Sequence, residues 1–171
     1  VDRQPGSVDD RLHVQGLKIH LVTGSADAIN WEPADLTATI GRANEAGWQV
    51  TIHAFSTEAQ EMALDALEMA IGPNGPNPLH HRIEHNAQVS DDQLARMVAM
   101  QIAAVIHLDT AVADWMSDPL WLTKNGGETG WLTRWRDFVD AGLHVAGATD
   151  MPWILPDFVL TDDIGRPVDQ I

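Results

Sequence analysis

Apolar positions along the chain fall into two kinds of pattern. Short runs rich in β-branched or small residues predict five strands, over residues 17–22, 49–54, 81–85, 102–108 and 143–148. Between these runs, apolar residues three or four positions apart predict four helices, over residues 34–46, 57–71, 90–100 and 131–141. Residues 1–14 are mostly polar and include a proline and a glycine, so we expect them to be irregular.

Strands and helices alternate along most of the chain, which is the order of β-α-β units in a parallel sheet. We therefore expect a single α/β domain over residues 1–171. Five parallel strands fit either an open doubly wound sheet or part of a (β/α)8 barrel. No glycine-rich phosphate-binding loop follows a predicted strand, which weighs against a nucleotide-binding open sheet.

The composition narrows the classes of function. The net charge is −15, and because an acidic chain repels phosphate backbones we expect no nucleic-acid binding. No apolar run approaches the length of a membrane-spanning helix, and the first residues carry no signal-peptide pattern. We therefore expect a cytoplasmic protein with no membrane contact. Cysteine is absent, so any metal must be held by histidine, carboxylate or a modified side chain.

Four residues that could bind a metal stand on or at the ends of predicted strands, namely Lys18, His53, His85 and Asp150. In a parallel barrel, side chains at the carboxyl ends of different strands converge on one site. From the alternation of side chains along a strand, we expect all four to point at that site. By the same alternation, Glu84 should face outward, towards the helices.

Each of these residues also has an ordinary structural interpretation. A histidine can pack in the core, Lys18 can extend from an edge strand, and Asp150 can cap the following turn. Together, however, they suit metal-dependent hydrolysis. Neutral imidazole binds zinc and related ions, and a buried lysine with a lowered pKa can react with carbon dioxide to give a carbamate with oxygen ligands. An aspartate beside the metal can accept a proton from water.

The same residues stand in motifs that resemble those of the amidohydrolase superfamily. These motifs are Lys18-Ile19, the runs AGWQVTIHA at 46–54 and HRIEHNAQ at 81–88, DAG at 140–142 and ATDMP at 148–152. The resemblance covers roughly residues 14–155 and is greatest to the YtcJ-like branch, which includes the N-substituted formamide deformylases. It implies a metal-dependent hydrolase on a (β/α)8 barrel. Lys18 would match the carboxylated lysine, His53 and His85 the two histidines of later strands, and Asp150 the aspartate of the last strand.

Two features depart from the family pattern. The His-X-His pair of the first barrel strand is absent, and the five predicted strands resemble strands four to eight of the eight. We therefore expect the C-terminal portion of a larger enzyme. The full-length family implies one or two divalent ions, and we expect at most one here, most simply zinc.

Two functions stay open at this point. One is a hydrolase that cleaves an amide or other C–N bond of a small molecule, with Asp150 as the proton shuttle. The other is a non-catalytic fragment or interaction module that keeps the scaffold. Because half a barrel exposes sheet edges and an apolar interior, we expect self-association or pairing with a missing N-terminal half.

Overall fold

A five-stranded parallel sheet with helices against one face forms the centre of the structure. The computed structural model describes residues 5–9, 11–23, 28–107, 131 and 133–148. In chain order the elements are β1 Gly6–Asp9, β2 Leu12–Val14, β3 Gly16–His20, β4 Val22–Thr23, β5 Ala28–Ile29, α1 Pro33–Glu45, β6 Gln49–Ala54, α2 Thr57–Ile71, β7 Arg82–His85, α3 Asp91–Met100, β8 Ala103–His107, α4 Trp135–Asp140 and β9 Val145–Ala148.

The strand order separates the two folds that the sequence leaves open. The central sheet runs β3-β6-β7-β8-β9, and each neighbouring pair is parallel. A doubly wound sheet reverses its strand order at a switch point, whereas here spatial neighbours follow chain order throughout. The predicted α/β fold, with parallel β/α units of a (β/α)8 barrel, is confirmed. The described strands form an open sector of such a barrel.

Within the described residues, the sheet has one face packed against helices and one face that no described helix covers, here called the open face. Apolar strand residues alternate onto the helix-packed face and contact the buried residues of α1, α2 and α3 in one core. Its fully or almost fully buried members include Ile19, Val50, Ile52, Ile83, Ala104, Leu36, Ile40, Leu67 and Met97. The strand residues of opposite parity, among them Lys18, His53 and Glu84, lie on the open face.

Local signals set the helix ends as the sequence predicts. Ser90 accepts a hydrogen bond from the Gln93 backbone N–H, and the Gln93 side chain accepts one from the Ser90 N–H, so the predicted capping box is present. Ser56 caps α2 through the Ala59 N–H, and Gly72 ends that helix with a φ of 82°. These caps place the β6 and β7 strand ends directly before helices or turns.

The first predicted strand, over residues 17–22, ends at His20, and Val22–Thr23 pairs instead with β5 in a separate antiparallel sheet. Two further predicted segments differ from the structure. Residues 6–14, expected to be irregular, contain the antiparallel pair β1 and β2, which is too short for a periodic pattern to reveal. The helix expected over residues 131–141 is reduced to α4. Thr133 has a φ of 46°, and a β-branched residue in the left-handed region interrupts a helix. The loop predicted over residues 109–130 lies outside the described residues.

Candidate functional site

Two histidines meet at the carboxyl ends of adjacent strands. His53 belongs to β6 and His85 is the last residue of β7, where the register pairs it with Ala54. The imidazole centroids of His53 and His85 are 4.2 Å apart, with ring planes at 72°. These are the strand ends at which the active sites of parallel barrels are built.

His85 reaches this position because its backbone leaves the extended conformation. In an extended strand it would share the helix-packed face with Ile83, two residues before it. Instead its φ is 77°, and Asn86 follows with a φ of 50°. The His85 ring consequently contacts His53, which belongs to the open face. Non-glycine residues in this region cost of order 1–3 kcal/mol each and persist where their surroundings hold them.

Further rings extend the pair into a row. Phe55 stacks on His85 with centroids 4.2 Å apart and meets the edge of His53 at 4.8 Å. His20 stacks on the other side of His53 at 4.6 Å, with an interplanar angle of 24°. Sequence reasoning missed both His20 and Phe55. The sequence offered one signal for His20, because it alternates onto the face of Lys18. The structure adds that it is the register partner of His53.

Lys18 lies lower on the open face and contacts Glu84. The Lys18 Nζ is 4.0 Å from the Glu84 Oε1, which also accepts a hydrogen bond from the Arg82 Nε at 2.8 Å. The prediction that Glu84 faces the helices is therefore wrong. The Lys18 side chain is 42% exposed, so the buried lysine expected for carbamate chemistry is not present in the described sector. The reason is that β3 is the outermost of the described strands of this sheet.

His81 occupies a different environment, below His85 on the helix-packed side. Its Nδ1 accepts a hydrogen bond from the Val50 N–H at 2.9 Å, and its Nε2 lies 3.0 Å from the Asn44 Oδ1. Since Nδ1 is an acceptor, the proton of the neutral ring sits on Nε2 and is donated to Asn44. Burial lowers the pKa of His81 to about 4, so it is a neutral, structural histidine.

The described residues fit part of a metal site. Paired imidazoles suit zinc and related divalent ions. Within residues 5–9, 11–23, 28–107, 131 and 133–148, however, no three histidine or carboxylate side chains are grouped closely enough to hold an ion. The sequence prediction names Lys18 and Asp150 as further ligands. Asp150 lies outside the described residues.

The chain belongs to the amidohydrolase family. The sequence profile of that family matches residues 13–158. The chain is 33% identical over 116 residues to a protein of Bacillus subtilis (strain 168) named as the amidohydrolase YtcJ, covering 66% of this chain and 20% of that protein. It is 30% identical over 83 residues to Protein LONG AFTER FAR-RED 3 of Arabidopsis thaliana, covering 48% of this chain and 14% of that protein. It thus spans a fifth or less of these relatives' lengths. The predicted membership of the amidohydrolase superfamily and its YtcJ-like branch is confirmed.

Solved structures share the fold. An uncharacterized metal-dependent hydrolase from Pyrococcus horikoshii OT3 superposes with a TM-score of 0.67 at 24% identity, over 87% of this chain and 32% of that one. A metal-dependent hydrolase from Pyrococcus furiosus gives the same TM-score, with 33% of its chain covered. In the described part of this chain, no helix is long and apolar enough to cross a membrane.

Proposed function

We propose that this chain forms part of a metal-dependent hydrolase that cleaves an amide or other C–N bond of a small molecule. The observation that carries the proposal is the contact between His53 and His85 at the carboxyl ends of adjacent parallel strands. It is supported by membership of the amidohydrolase family. A buried His85 in contact with a partly buried His53 at this end of a β/α sector is unusual as mere packing, because apolar residues would fill the space at lower cost.

In this proposal, His53 and His85 hold one divalent ion, most simply zinc, with Lys18 and Asp150 as further ligands. A bound divalent ion supplies Lewis-acid polarisation of a carbonyl and makes water more acidic at neutral pH. Phe55 fixes the plane of the His85 ring by stacking on it, and so fixes the direction of the imidazole nitrogens. Lys18 would contribute oxygen ligands as a carbamate, once its amine separates from Glu84.

Asp150 is the proposed proton shuttle. Its carboxylate would accept a proton as water attacks the carbonyl carbon, and would deliver that proton to the departing amine nitrogen. The C–N bond then breaks to give a carboxylic acid and an amine. N-formyl and N-acyl amines are the substrate class proposed, in keeping with the family motifs at residues 81–88 and 148–152.

The open face suggests that the sector works in association. Lys18, Arg82 and Glu84 lie on it as a charged group, and β3 and β9 are the outermost of the described strands on either side. Strand edges and a half-covered sheet favour pairing with further β/α units. We propose that the edges of this sheet pair with the remaining strands of a barrel, or with a second copy of the chain, and that this association covers the open face.

Turnover by the zinc-loaded chain tests the proposed function. N-formyl and N-acyl amines should be hydrolysed in the presence of zinc, and Asp150→Asn should reduce kcat by at least about 100-fold, the usual scale for loss of a general acid–base group. His144→Ala is the matched control, because His144 is exposed and precedes β9. A folded, zinc-loaded chain with no zinc-dependent turnover would favour the non-catalytic scaffold.

A further inference from the structure

A buried amide lies immediately behind His85. Asn86 has no exposed surface, and its side chain makes three hydrogen bonds. The Nδ2 group donates to the Ile83 carbonyl at 2.8 Å and to the Val105 carbonyl at 3.0 Å. The Oδ1 accepts from the Gln60 Nε2 at 3.3 Å. One amide therefore joins β7 to β8 and to helix α2.

Gln60 extends this connection to the strand that carries His53. Its Nε2 also donates to the Ala54 carbonyl at 3.2 Å, one residue beyond His53. The side chains of Asn86 and Gln60 thus bind carbonyls of three adjacent strands, β6, β7 and β8. We call these two side chains the amide bracket. Buried polar groups that are bonded on several sides are worth more than isolated hydrogen bonds and hold one geometry.

The amide bracket lies at two consecutive residues whose backbone is in the left-handed region. His85 and Asn86 are consecutive residues with φ values of 77° and 50°. Asparagine adopts the left-handed region more readily than most residues, and its hydrogen bonds to Ile83 and Val105 hold it there. If His85 and Asn86 both returned to an extended conformation, the chain after Ile83 would continue the strand alternation. His85 would then point towards the helices and away from His53.

We infer that Asn86 is a positioning residue, whose amide holds the left-handed turn that places the His85 imidazole against His53. The inference rests on the proposed function in one respect: only if His53 and His85 are metal ligands does their placement serve to hold an ion. The placement itself is a property of the metal-free chain, so it can be measured without the metal.

The chain supplies a matched control in Asn77. This asparagine is 5% exposed and also makes three hydrogen bonds, to the His81 carbonyl at 2.9 Å, the Gln101 carbonyl at 3.0 Å and the His81 N–H at 2.9 Å. It ties down the start of β7, at the end of the strand opposite to His85. Loss of either amide should reduce stability, but only loss of Asn86 should move His85.

The experiment compares Asn86→Gly with Asn77→Gly in the whole chain. Glycine keeps the positive φ accessible and removes the amide. The measurements are urea unfolding, nuclear Overhauser contacts between the His53 and His85 ring protons in the metal-free protein, and zinc affinity by chelator competition. We expect both variants to lose stability. Only Asn86→Gly should lose the ring contacts and bind zinc about 10- to 100-fold more weakly, as is usual for supporting residues of metal ligands.

Gln60→Met covers the case in which Asn86→Gly does not fold. The Gln60 Oε1 has no hydrogen-bond partner in its buried position, so an apolar side chain of similar length should be tolerated there. We expect this variant to fold, with weaker ring contacts and several-fold weaker zinc binding. The inference is overturned if Asn86→Gly and Gln60→Met keep the ring contacts, or if Asn77→Gly loses them equally.

The outcomes also separate this inference from the proposed function. If the parent chain binds no zinc, the proposed metal site fails, while the ring contacts in the metal-free variants still decide the role of Asn86. If the parent binds zinc and the ring contacts do not depend on Asn86, the proposed function stands and the positioning role is wrong.

Discussion

Lys18 and Glu84, which belong to strands on either side of β6, meet on the open face of the sheet with a Nζ–Oε1 distance of 4.0 Å. Arg82 binds the same carboxylate oxygen at 2.8 Å. This contact bears directly on the proposed chemistry of Lys18. An ammonium group beside a carboxylate is stabilised in its charged form, and only the neutral amine reacts with carbon dioxide.

We therefore predict that Glu84→Gln increases carbamate formation on Lys18. The substitution removes the charge that stabilises the ammonium and that would repel the anionic carbamate. The measurement is the carbamate carbonyl signal in a ¹³C NMR spectrum after equilibration with labelled bicarbonate. The chain has two lysines, so Lys18→Ala and Lys124→Ala assign the signal. A Lys18 signal that is unchanged or weaker in Glu84→Gln would contradict the prediction.

His81 should make the stability depend on pH in a defined window. Its pKa is about 4 in the folded state against an ordinary 6.5, so between these values the unfolded state binds more protons. Stability is then fully present above pH 6.5 and falls as the pH is lowered towards 4, by about 3 kcal/mol in total. Urea unfolding of the parent and of His81→Gln at several pH values measures this. A variant with the same slope of stability against pH as the parent would show that another group is responsible.

The Arg96 guanidinium should contribute more to stability than an exposed arginine. It binds Glu61 at 2.6 Å, Asp65 at 2.7 Å and Glu68 at 2.8 Å, and so links α3 to α2. Partial burial lowers the pKa of Arg96, but the hydrogen bonds to Asp65 and Glu68 outweigh it and the pKa is raised. We predict that Arg96→Met lowers the free energy of unfolding by about 1–2 kcal/mol, because three carboxylates lose their common partner.

Arg136 is the control for Arg96. It pairs with Asp140 along α4 at 2.9 Å, but its side chain is 84% exposed. Arg136→Met should produce no measurable change in urea unfolding. If Arg96→Met and Arg136→Met lost equal free energy of unfolding, the three ion pairs of Arg96 would contribute no more than the exposed pair of Arg136.

Two glycines should respond to alanine in opposite directions. Gly41 lies within α1, and a Cβ there would meet nothing within 4 Å, so Gly41→Ala should stabilise the protein by about 0.5–1 kcal/mol. At Gly16 a Cβ would stand 2.8 Å from the Gln49 carbonyl oxygen, so Gly16→Ala should destabilise it, by about 1–3 kcal/mol. Thermal unfolding of both variants tests the backbone placement of β3 against β6. Stabilisation by Gly16→Ala would contradict that placement.

Most of the fold was predictable from the sequence because the strong patterns are local. The bounds of β6 and α2 coincide with the predicted ones, since alternation, serine caps and a terminal glycine all act within a few residues. Strand order was left open, because the same alternation of elements suits two topologies. Pairing between β3 and β6, rather than a switch point, is a property of tertiary packing.

The site was predictable in its residue types and less so in its geometry. The strand-end positions of His53 and His85 follow from the pattern, but the assumption of regular alternation placed Glu84 on the wrong face. The error arose because His85 was assigned to the face that carries the site, and regular alternation then assigned Glu84 to the helix-packed face. In fact β7 presents Glu84 on the open face, and His85 joins it only through its left-handed backbone. The next residue, Asn86, is hydrogen-bonded to Gln60 and Val105, which are distant in sequence and which no local pattern could reveal.

The most direct test of the account is the amount of zinc bound per chain, measured by elemental analysis after dialysis, for the parent, His53→Ala, His85→Ala and His144→Ala. His144→Ala should match the parent, because His144 is exposed and directly precedes β9, at the end of the parallel sheet opposite to His53 and His85. We predict close to one zinc ion per parent chain and its loss in both His53→Ala and His85→Ala. A folded parent chain that retains no zinc, or zinc that survives both substitutions, would contradict the assignment of these histidines as metal ligands.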